Sequence, residues 1–368
     1  MELYLILFVV FVYLFVHQSD SEKNRAKFVN IVTTVLILVA GLRHQYVGND
    51  TINYLNNFDA ISNESWKTIL NSFVDAYLNP NKDIGKDPAM MVLNKIISMV
   101  VTNHAVYLTL MASIFLLPLG EFLKRNTNSI NELLFAYTFY LALYYGYLPN
   151  SAVRQSIAIA FVLIGCMYYQ NKGSRWWFFV FILMGSFFHK SALISTLLIG
   201  ATYLKNPRKI LVLGLPVFLL MLYFYEPIGL LLSSQSEIYS MYSGSYFAYR
   251  NKPFVVLVLF ILLYLISLYK SKFIDLSIED DTKKQFLFVG TMLTIAFVPL
   301  VRLDPSLIRI TGYFVFWLIL LVPESLNNYS KKFSPIIFWG CILLFIYKAY
   351  KSGLDYSFFW QEMQLQIN

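Results

Sequence analysis

Apolar segments recur along the whole chain and are separated by short polar stretches. Because a bilayer span needs about 20 apolar residues, and fewer where a helix ends in a cavity, these segments predict membrane helices. The expected fold is all-α: a polytopic integral membrane protein of about 12 transmembrane helices. The twelve segments are Glu2–Val16, Phe28–Leu42, Asn103–Gly120, Asn131–Tyr147, Val153–Gln170, Trp176–Phe188, Ser191–Leu204, Ile210–Tyr225, Phe254–Tyr269, Lys284–Val301, Ile310–Pro323 and Ser334–Tyr350.

The composition agrees with this pattern. Of the 368 residues, 58% are hydrophobic and 14% are charged, which is too apolar for a soluble domain of this size. We expect a single integral membrane domain over residues 1–368, with large extracytoplasmic loops at about 43–102 and 226–253. The first apolar run has no basic start and no small-residue cleavage site, so it is interpreted as a retained helix rather than a signal peptide.

Basic residues fall mainly in one set of alternate loops. Sixteen of the 29 lie there, and the opposite set holds eight. Since Lys and Arg concentrate in cytoplasmic loops, the richer set is expected to be cytoplasmic and both termini outside. This topology requires a break at His189, because 176–204 as one straight helix would be roughly 43 Å long, which exceeds the ~30 Å hydrocarbon core. The competing interpretation is one tilted helix.

Several arginines run against this trend. Five of the nine arginines, Arg43, Arg154, Arg250, Arg302 and Arg309, are expected at outer helix ends or in outer loops. Charge held at membrane depth is costly, and the planar guanidinium suits phosphate and carboxylate groups. The arginines therefore predict an outer site for a strongly anionic group, such as a lipid-linked diphosphate. The alternative is that each one reaches lipid headgroups or pairs with Asp50 or Asp304.

Two further stretches carry candidate chemistry. His189 is expected at the outer end of a short helix, where it could accept a proton from a sugar hydroxyl or simply hydrogen-bond a backbone carbonyl. The polar stretch after the second helix, Arg43 to Thr51, contains a predicted turn at Gly48-Asn49. Asp50 and Tyr54 follow and are expected to face the same cavity. His104 lacks a supporting cluster in the sequence and is interpreted as structural.

Other classes of chemistry find little support. Cys166 and Cys341 lie in apolar runs and are expected to be packing residues. We find no Asp-x-Asp, Walker-type or His/Cys metal motif on the expected outer face. No cofactor, metal or nucleotide is therefore expected. The net charge of +8 is ordinary for a membrane protein with basic cytoplasmic loops, so no nucleic-acid partner is inferred.

A series of short motifs resembles the EpsG family of exopolysaccharide and O-antigen polymerases, which is related to the Wzy class. The motifs occur in family order over most of the chain, with one departure, since Asp87 stands where Glu is expected before proline. The matching pieces are Gly41-Leu42-Arg43, Val47-Gly48-Asn49-Asp50 with Tyr54, Asp87-Pro88, Arg154-Gln155, Phe188-His189-Lys190-Ser191-Ala192, and Arg302 to Arg309 with Tyr313-Phe314.

The resemblance implies a glycosyltransferase of GT-C-like, lipid-carrier architecture in the cytoplasmic membrane, with its active site facing outward. It would polymerise undecaprenyl-diphosphate-linked oligosaccharide repeat units into O-antigen, capsule or exopolysaccharide. Membrane lipid, a chain-length regulator and a flippase are its implied partners. Arg154, Arg302 and Arg309 would neutralise the diphosphate, and His189 or Asp50 would accept the proton. Arg43, Tyr54, Gln155 and Tyr313 would bind substrate.

Three alternatives stay open. An O-antigen ligase would share these features. A flippase or transporter for the lipid-linked oligosaccharide predicts charges along a path through the membrane and an internal repeat, whereas the candidate groups here are expected on one face. A membrane acyltransferase could use a lone histidine, but five outer arginines exceed what an acyl donor requires.

Overall fold

The protein is described by a computed structural model covering residues 2–78, 88–203, 207–228, 230, 254–270, 282–303, 307–327, 334–351 and 356–361. Within these ranges the regular structure is helical, apart from one isolated antiparallel bridge between Arg43 and Phe358. The chain divides into two compact units. The first unit comprises 1–194 and 341–368, and the second unit comprises 195–340.

The first unit contains apolar helices and, between the second and the sixth, a run of three short amphipathic helices. A π-helical turn, Leu141–Tyr145, continues α7. The helices are α1 Glu2–Val16, α2 Glu22–Gly41, α3 Thr51–Asn63, α4 Trp66–Leu78, α5 Ala89–Ser98, α6 His104–Asn126, α7 Ile130–Tyr140, α8 Val153–Lys172 and α9 Arg175–Phe188.

The remaining helices run from His189 to the C-terminal region. A 3-10 helix, Lys190–Tyr203, begins directly after His189 and extends across the division between the units. A second 3-10 helix, Val298–Arg302, continues α12. The α-helices are α10 Pro207–Tyr223, α11 Phe254–Lys270, α12 Thr282–Phe297, α13 Ile308–Thr311, α14 Val315–Asn327 and α15 Ser334–Lys351.

In the part of the chain that the structure describes, all twelve predicted segments are largely helical, although Ile310–Pro323 is divided between α13 and α14. Within the described ranges, three helices are long and apolar enough to cross a membrane: Glu22–Gly41, His104–Asn126 and Thr282–Arg302. The other apolar helices are shorter, at 10–17 residues. An all-helical membrane protein is therefore confirmed. The number of crossings, the single domain and the GT-C-like architecture stay predictions.

The long helices of the first unit run up and down, so their connections gather at two opposite ends. At one end Arg25 Nη1 donates to the backbone oxygen of Asn128 at 2.6 Å, and Gln170 Nε2 donates to Asn126 Oδ1 at 3.1 Å. This is the basic end, because it also holds Lys23, Lys27, Lys124, Arg125, Lys172 and Arg175. The charge pattern of the sequence predicted this clustering.

The opposite end of the first unit holds the C-termini of α2 and α9 and the N-termini of α3, α6 and α8. We call it the polar end. A buried cluster that joins α3, α5, α6 and α8 supports it, and includes Tyr54, Phe58, Tyr107, Val153 and Ile157. Two amphipathic helices, α4 and α5, lie within the predicted loop 43–102. Helix α3 was not predicted.

The second unit is organised around close contacts between small and aromatic residues. Phe286 of α12 stacks on Trp317 of α14, with ring centroids 5.4 Å apart. A Cβ on Gly290 would lie 2.1 Å from the Trp317 side chain, so only glycine allows this approach. Tyr264 of α11 donates its hydroxyl to the backbone oxygen of Leu211 in α10.

Candidate functional site

Helices α8 and α9 pack antiparallel and bring Arg154 opposite His189. A Cβ on Gly185 of α9 would lie 2.9 Å from the backbone oxygen of Ala158 in α8, so the two backbones nearly touch. Four residues back from Ala158 is Arg154, and four residues on from Gly185 is His189. Arg154 lies in the first turn of α8, and His189 directly follows α9. Both side chains are half-buried.

The chain reverses at His189. This residue has an extended backbone, with φ −158° and ψ 114°, and its amide donates to the Gly185 oxygen at 3.0 Å. After the turn, Ala192 lies beside Gly185, at 3.5 Å from the position a Cβ would take there. In a continuous helix these residues would lie about 10 Å apart along the axis. The predicted break at His189 is therefore confirmed, and a single tilted helix is wrong.

The imidazole of His189 has a side-chain partner rather than a backbone carbonyl. Its Nδ1 lies 2.5 Å from Ser191 Oγ. Burial, and to a smaller extent the positive charge of Arg154, lower the pKa of His189 to about 4. A neutral histidine thus lies next to a permanent cation. In the tautomer in which Nδ1 donates to the serine, Nε2 carries a lone pair that can accept a proton.

The stretch between α2 and α3 forms the predicted turn and docks onto the start of α8. Gly48 has φ +89°, and a Cβ there would lie 2.5 Å from the Asn150 oxygen. The amide of Asn49 donates to Ser151 Oγ at 3.1 Å. Asp50 occupies the N-cap position of α3 but makes no side-chain capping bond. The turn thus places Asp50 at the polar end with Arg154 and His189.

Arg43 lies at the same end but is held by the protein itself. Its side chain is 1% exposed. The guanidinium donates to the Ala40 oxygen, to Thr51 Oγ1 at 3.3 Å and to the Asn150 oxygen at 3.4 Å. Burial lowers the pKa of Arg43 to about 10, so the group stays charged at pH 7. Arg43 thus joins α2, α3 and the loop before α8.

A cavity of about 440 Å³ opens beside Arg43. Its walls come from the stretch after α2, from α3, from the start of α6 and from the C-terminal segment. That segment pairs with the stretch after α2: His44 N donates to Ser357 O at 2.7 Å, and Phe359 N donates to Leu42 O at 2.9 Å. The lining residues are Arg43, His44, Gln45, Leu55, Thr102, Asn103, His104, Ala105, Leu108 and Phe359.

His104 has a partner that the sequence did not reveal. Its Nε2 lies 2.9 Å and 3.1 Å from the two carboxylate oxygens of Asp59. The interpretation that His104 has no supporting group is therefore wrong, because α3 carries Asp59 to it from 45 residues away. The unpredicted α3 explains the error, since only a helix from Thr51 places Asp59 near the start of α6.

Two predicted substrate residues lie in the interior. Tyr54 is 8% exposed and belongs to the cluster between α3 and α6, and Gln155 is 2% exposed in α8. Both side chains belong to the buried interior next to the polar end. They lie next to residues of the site, but their side chains pack inward.

The other predicted residues belong to the second unit. Arg302 ends a 3-10 helix, and its guanidinium lies 5.5 Å from the ring centre of Tyr225, a cation–π distance. Arg309 lies in the short helix α13, and Tyr313, which follows it, is 1% exposed. Asp87, Arg250 and Asp304 lie outside the described residues.

Comparison with known proteins identifies the family. The model of the EpsG family matches residues 26–357, which is nearly the whole chain. The chain belongs to the EpsG family. No curated protein and no solved structure matches it. Membership and the apolar helices together describe this EpsG-family chain as a membrane protein of the polysaccharide-polymerase type.

The polar end of this EpsG-family protein combines two kinds of chemistry. Arg154, at the N-terminus of α8, provides a cation where the helix dipole is also positive. His189 provides a neutral imidazole with an oriented ring. The cavity beside Arg43 provides imidazole, amide and aromatic groups. The arrangement allows an anion to bind beside Arg154 and a proton to pass to the neighbouring His189. The cavity beside Arg43 can hold a polar ligand.

Proposed function

We propose that the protein polymerises undecaprenyl-diphosphate-linked oligosaccharide repeat units on the outer face of the cytoplasmic membrane. A hydroxyl on the non-reducing sugar of one repeat unit attacks the anomeric carbon of the glycan on a second carrier. A glycosidic bond forms and the bond from that carbon to the diphosphate breaks. The hydroxyl proton passes to a base, and undecaprenyl diphosphate leaves with the electron pair.

The pairing of Arg154 with His189 is the observation that carries the proposal. A departing lipid diphosphate gains negative charge as the bond breaks, and a fixed cation next to it stabilises that charge. Arg154 lies in the first turn of α8, where the helix dipole is positive, and this adds to the effect. Arg154 is thus proposed to bind the diphosphate.

His189 is proposed to accept the proton. Its lowered pKa keeps it neutral at physiological pH, so the base is already in its active form. Binding of the diphosphate offsets the charge of Arg154, which raises the pKa of His189 and strengthens the base when the substrate is present. Asp50 at the start of α3 is the alternative base. Arg302 and Arg309 are proposed as further phosphate-binding residues, and Tyr313 as a residue that supports them.

The charge pattern supports an outward-facing site. Lys and Arg gather at the opposite end of the first unit, and such loops are retained in the cytoplasm. The polar end with Arg154 and His189 is then extracytoplasmic. Lipid-linked repeat units are used on that side.

The test is polymerisation by the purified protein in proteoliposomes that contain only its lipid-linked repeat unit. With nucleotide omitted and metal chelated, the proposal predicts a ladder of glycan lengths and release of undecaprenyl diphosphate. Movement of intact repeat units between leaflets without any ladder would contradict it and indicate a flippase. Transfer of preformed glycan to a different acceptor, again without a ladder, would indicate a ligase.

A further inference from the structure

We infer that the cavity beside Arg43 is the binding site for the terminal, uncharged sugar of the acceptor, and that His104, positioned by Asp59, binds one of its hydroxyl groups. This inference rests on the proposed polymerase function and goes further by assigning the acceptor to a separate place. It concerns binding of the acceptor and includes no bond-making step.

The size and walls of the cavity suit a sugar. Its volume of about 440 Å³ lies within the range of small-ligand sites, roughly 300–1,000 Å³. Gln45 and Asn103 contribute amide groups, and Phe359 contributes an aromatic ring that is 50% exposed. Amide groups form hydrogen bonds with sugar hydroxyls, and an aromatic ring packs against the apolar face of a sugar. The lining therefore matches a carbohydrate.

The charges in the cavity favour a neutral ligand over a diphosphate. The guanidinium of Arg43 donates to Ala40, Thr51 and Asn150 and is almost inaccessible. His104 lies next to the carboxylate of Asp59, so any positive charge on it is offset. A diphosphate placed here would lie beside a carboxylate, and like charges repel at this distance.

The His104–Asp59 pair has the geometry of a positioned hydrogen-bonding group. Asp59 accepts from Nε2, which fixes the tautomer and leaves Nδ1 for another partner. The side chains are 43% and 55% exposed, so a ligand can reach them. With Nε2–H bound to the carboxylate, Nδ1 of a neutral imidazole accepts a bond from a sugar hydroxyl.

The cavity is connected to the proposed diphosphate site through packed side chains. Leu55 and Leu108 line its wall and belong to the same buried cluster as Val153 and Ile157, which flank Arg154 along α8. Both sites are therefore at the polar end of one unit. The sugar of the acceptor and the leaving group of the donor occupy neighbouring places, as a transfer reaction requires.

The test uses full-length protein in nanodiscs and two readouts. The probe is the repeat-unit oligosaccharide released by hydrolysis from the glycan of the source cells, without lipid or diphosphate. We expect His104→Gln and Asp59→Asn each to weaken its binding about tenfold, as loss of one hydrogen bond and its orienting partner would do. Gln45→Ala should weaken binding less, and His17→Gln, an exposed histidine at the basic end, should have no effect.

The second readout separates binding from chemistry in the polymerisation assay. His104→Gln should raise KM for the acceptor about tenfold with kcat within a factor of three and the melting temperature unchanged. No oligosaccharide binding by the wild type, or binding and acceptor KM unchanged in both His104→Gln and Asp59→Asn, would overturn the inference even if a ladder forms. His104-dependent binding in a protein that forms no ladder would support the sugar site and reject the polymerase.

Discussion

Two arginines at the polar end of the first unit have similar sequence settings and different surroundings. Arg43 follows the end of α2, and Arg154 lies at the start of α8. The guanidinium of Arg43 is bound by backbone and hydroxyl oxygens of three segments, whereas Arg154 is half-buried and faces a neutral histidine. Arg43 joins three segments of the fold, and Arg154 is the arginine that we propose binds substrate.

The largest expected effect is on lipid-diphosphate binding at Arg154. In Arg154→Gln, loss of the cation should weaken binding of farnesyl diphosphate, a short analogue of the carrier, about 300-fold. Equilibrium binding in nanodiscs measures this. Arg25→Gln, at the basic end, is the matched control and should bind as the wild type does. Equal loss in both variants would mean that general surface charge attracts the lipid.

The next effect is on turnover at His189. Loss of a general base typically lowers kcat about 100-fold or more, so His189→Gln should do so while farnesyl diphosphate still binds. Initial rates of ladder formation measure it, with His17→Gln as the control. If His189→Gln retains full kcat and Asp50→Asn loses it, the base is Asp50.

Arg43→Met tests whether Arg43 stabilises the fold. It removes the guanidinium from the Ala40 oxygen and one of the two donors from the Asn150 oxygen, which Thr51 Oγ1 still contacts, and it should lower the free energy of unfolding by about 3 kcal/mol. Thermal unfolding in detergent measures the change. Arg154→Gln should unfold close to the wild-type temperature. A stable Arg43→Met protein with weakened diphosphate binding would reverse the two roles.

Gly48→Ala should have a smaller effect on stability, about 2 kcal/mol. The positive φ strains any side chain, and the Asn150 oxygen is too close to the new Cβ. Gly173→Ala is the matched control, since it has φ +65° with no heavy atom within 4 Å of the new Cβ. Gly173→Ala should lower the free energy of unfolding by about half as much as Gly48→Ala. An equal loss in the two variants would mean that the contact between the new Cβ and the Asn150 oxygen has no effect on stability.

The smallest expected effect is that of pH between 6 and 8. Since burial and Arg154 hold the pKa of His189 near 4, the base stays deprotonated over this range, and kcat/KM should be flat. It should fall only as pH approaches 4, where the imidazole gains its proton. An unperturbed histidine, with a pKa of about 6.5, would halve the rate near that pH. A pH profile of kcat/KM with a midpoint at about 6.5 in the wild type, and without that midpoint in His189→Gln, would contradict a buried His189 beside Arg154.

The hydrophobic pattern predicted much of the fold because membrane helices depend on local composition. The bounds of α1 agree with the prediction, and those of α8 and α9 lie within two residues of it. The break at His189 followed from the length of the apolar run and the direction of the basic loops. The pairing of Arg154 with His189 then follows from antiparallel helices with a short connection.

Contacts between distant segments were beyond such reasoning. The guanidinium of Arg43 donates to the backbone oxygen of Asn150, 107 residues further along the chain. A residue predicted to bind substrate therefore holds segments of the fold together. Asp59 reaches His104 only because the polar stretch after Asp50 forms a helix. Its apolar positions, such as Leu55 and Phe58, are too few for a membrane pattern, and they indicated a helix only once α5 and α6 were known to cover them.

The most direct measurement of the central claim is the glycan ladder made by wild type, Arg154→Gln and Arg25→Gln from the lipid-linked repeat unit alone. We expect a ladder from the wild type and from Arg25→Gln, and none from an equally folded Arg154→Gln. A ladder of normal length and rate from Arg154→Gln would contradict the assignment of the leaving diphosphate to the start of α8.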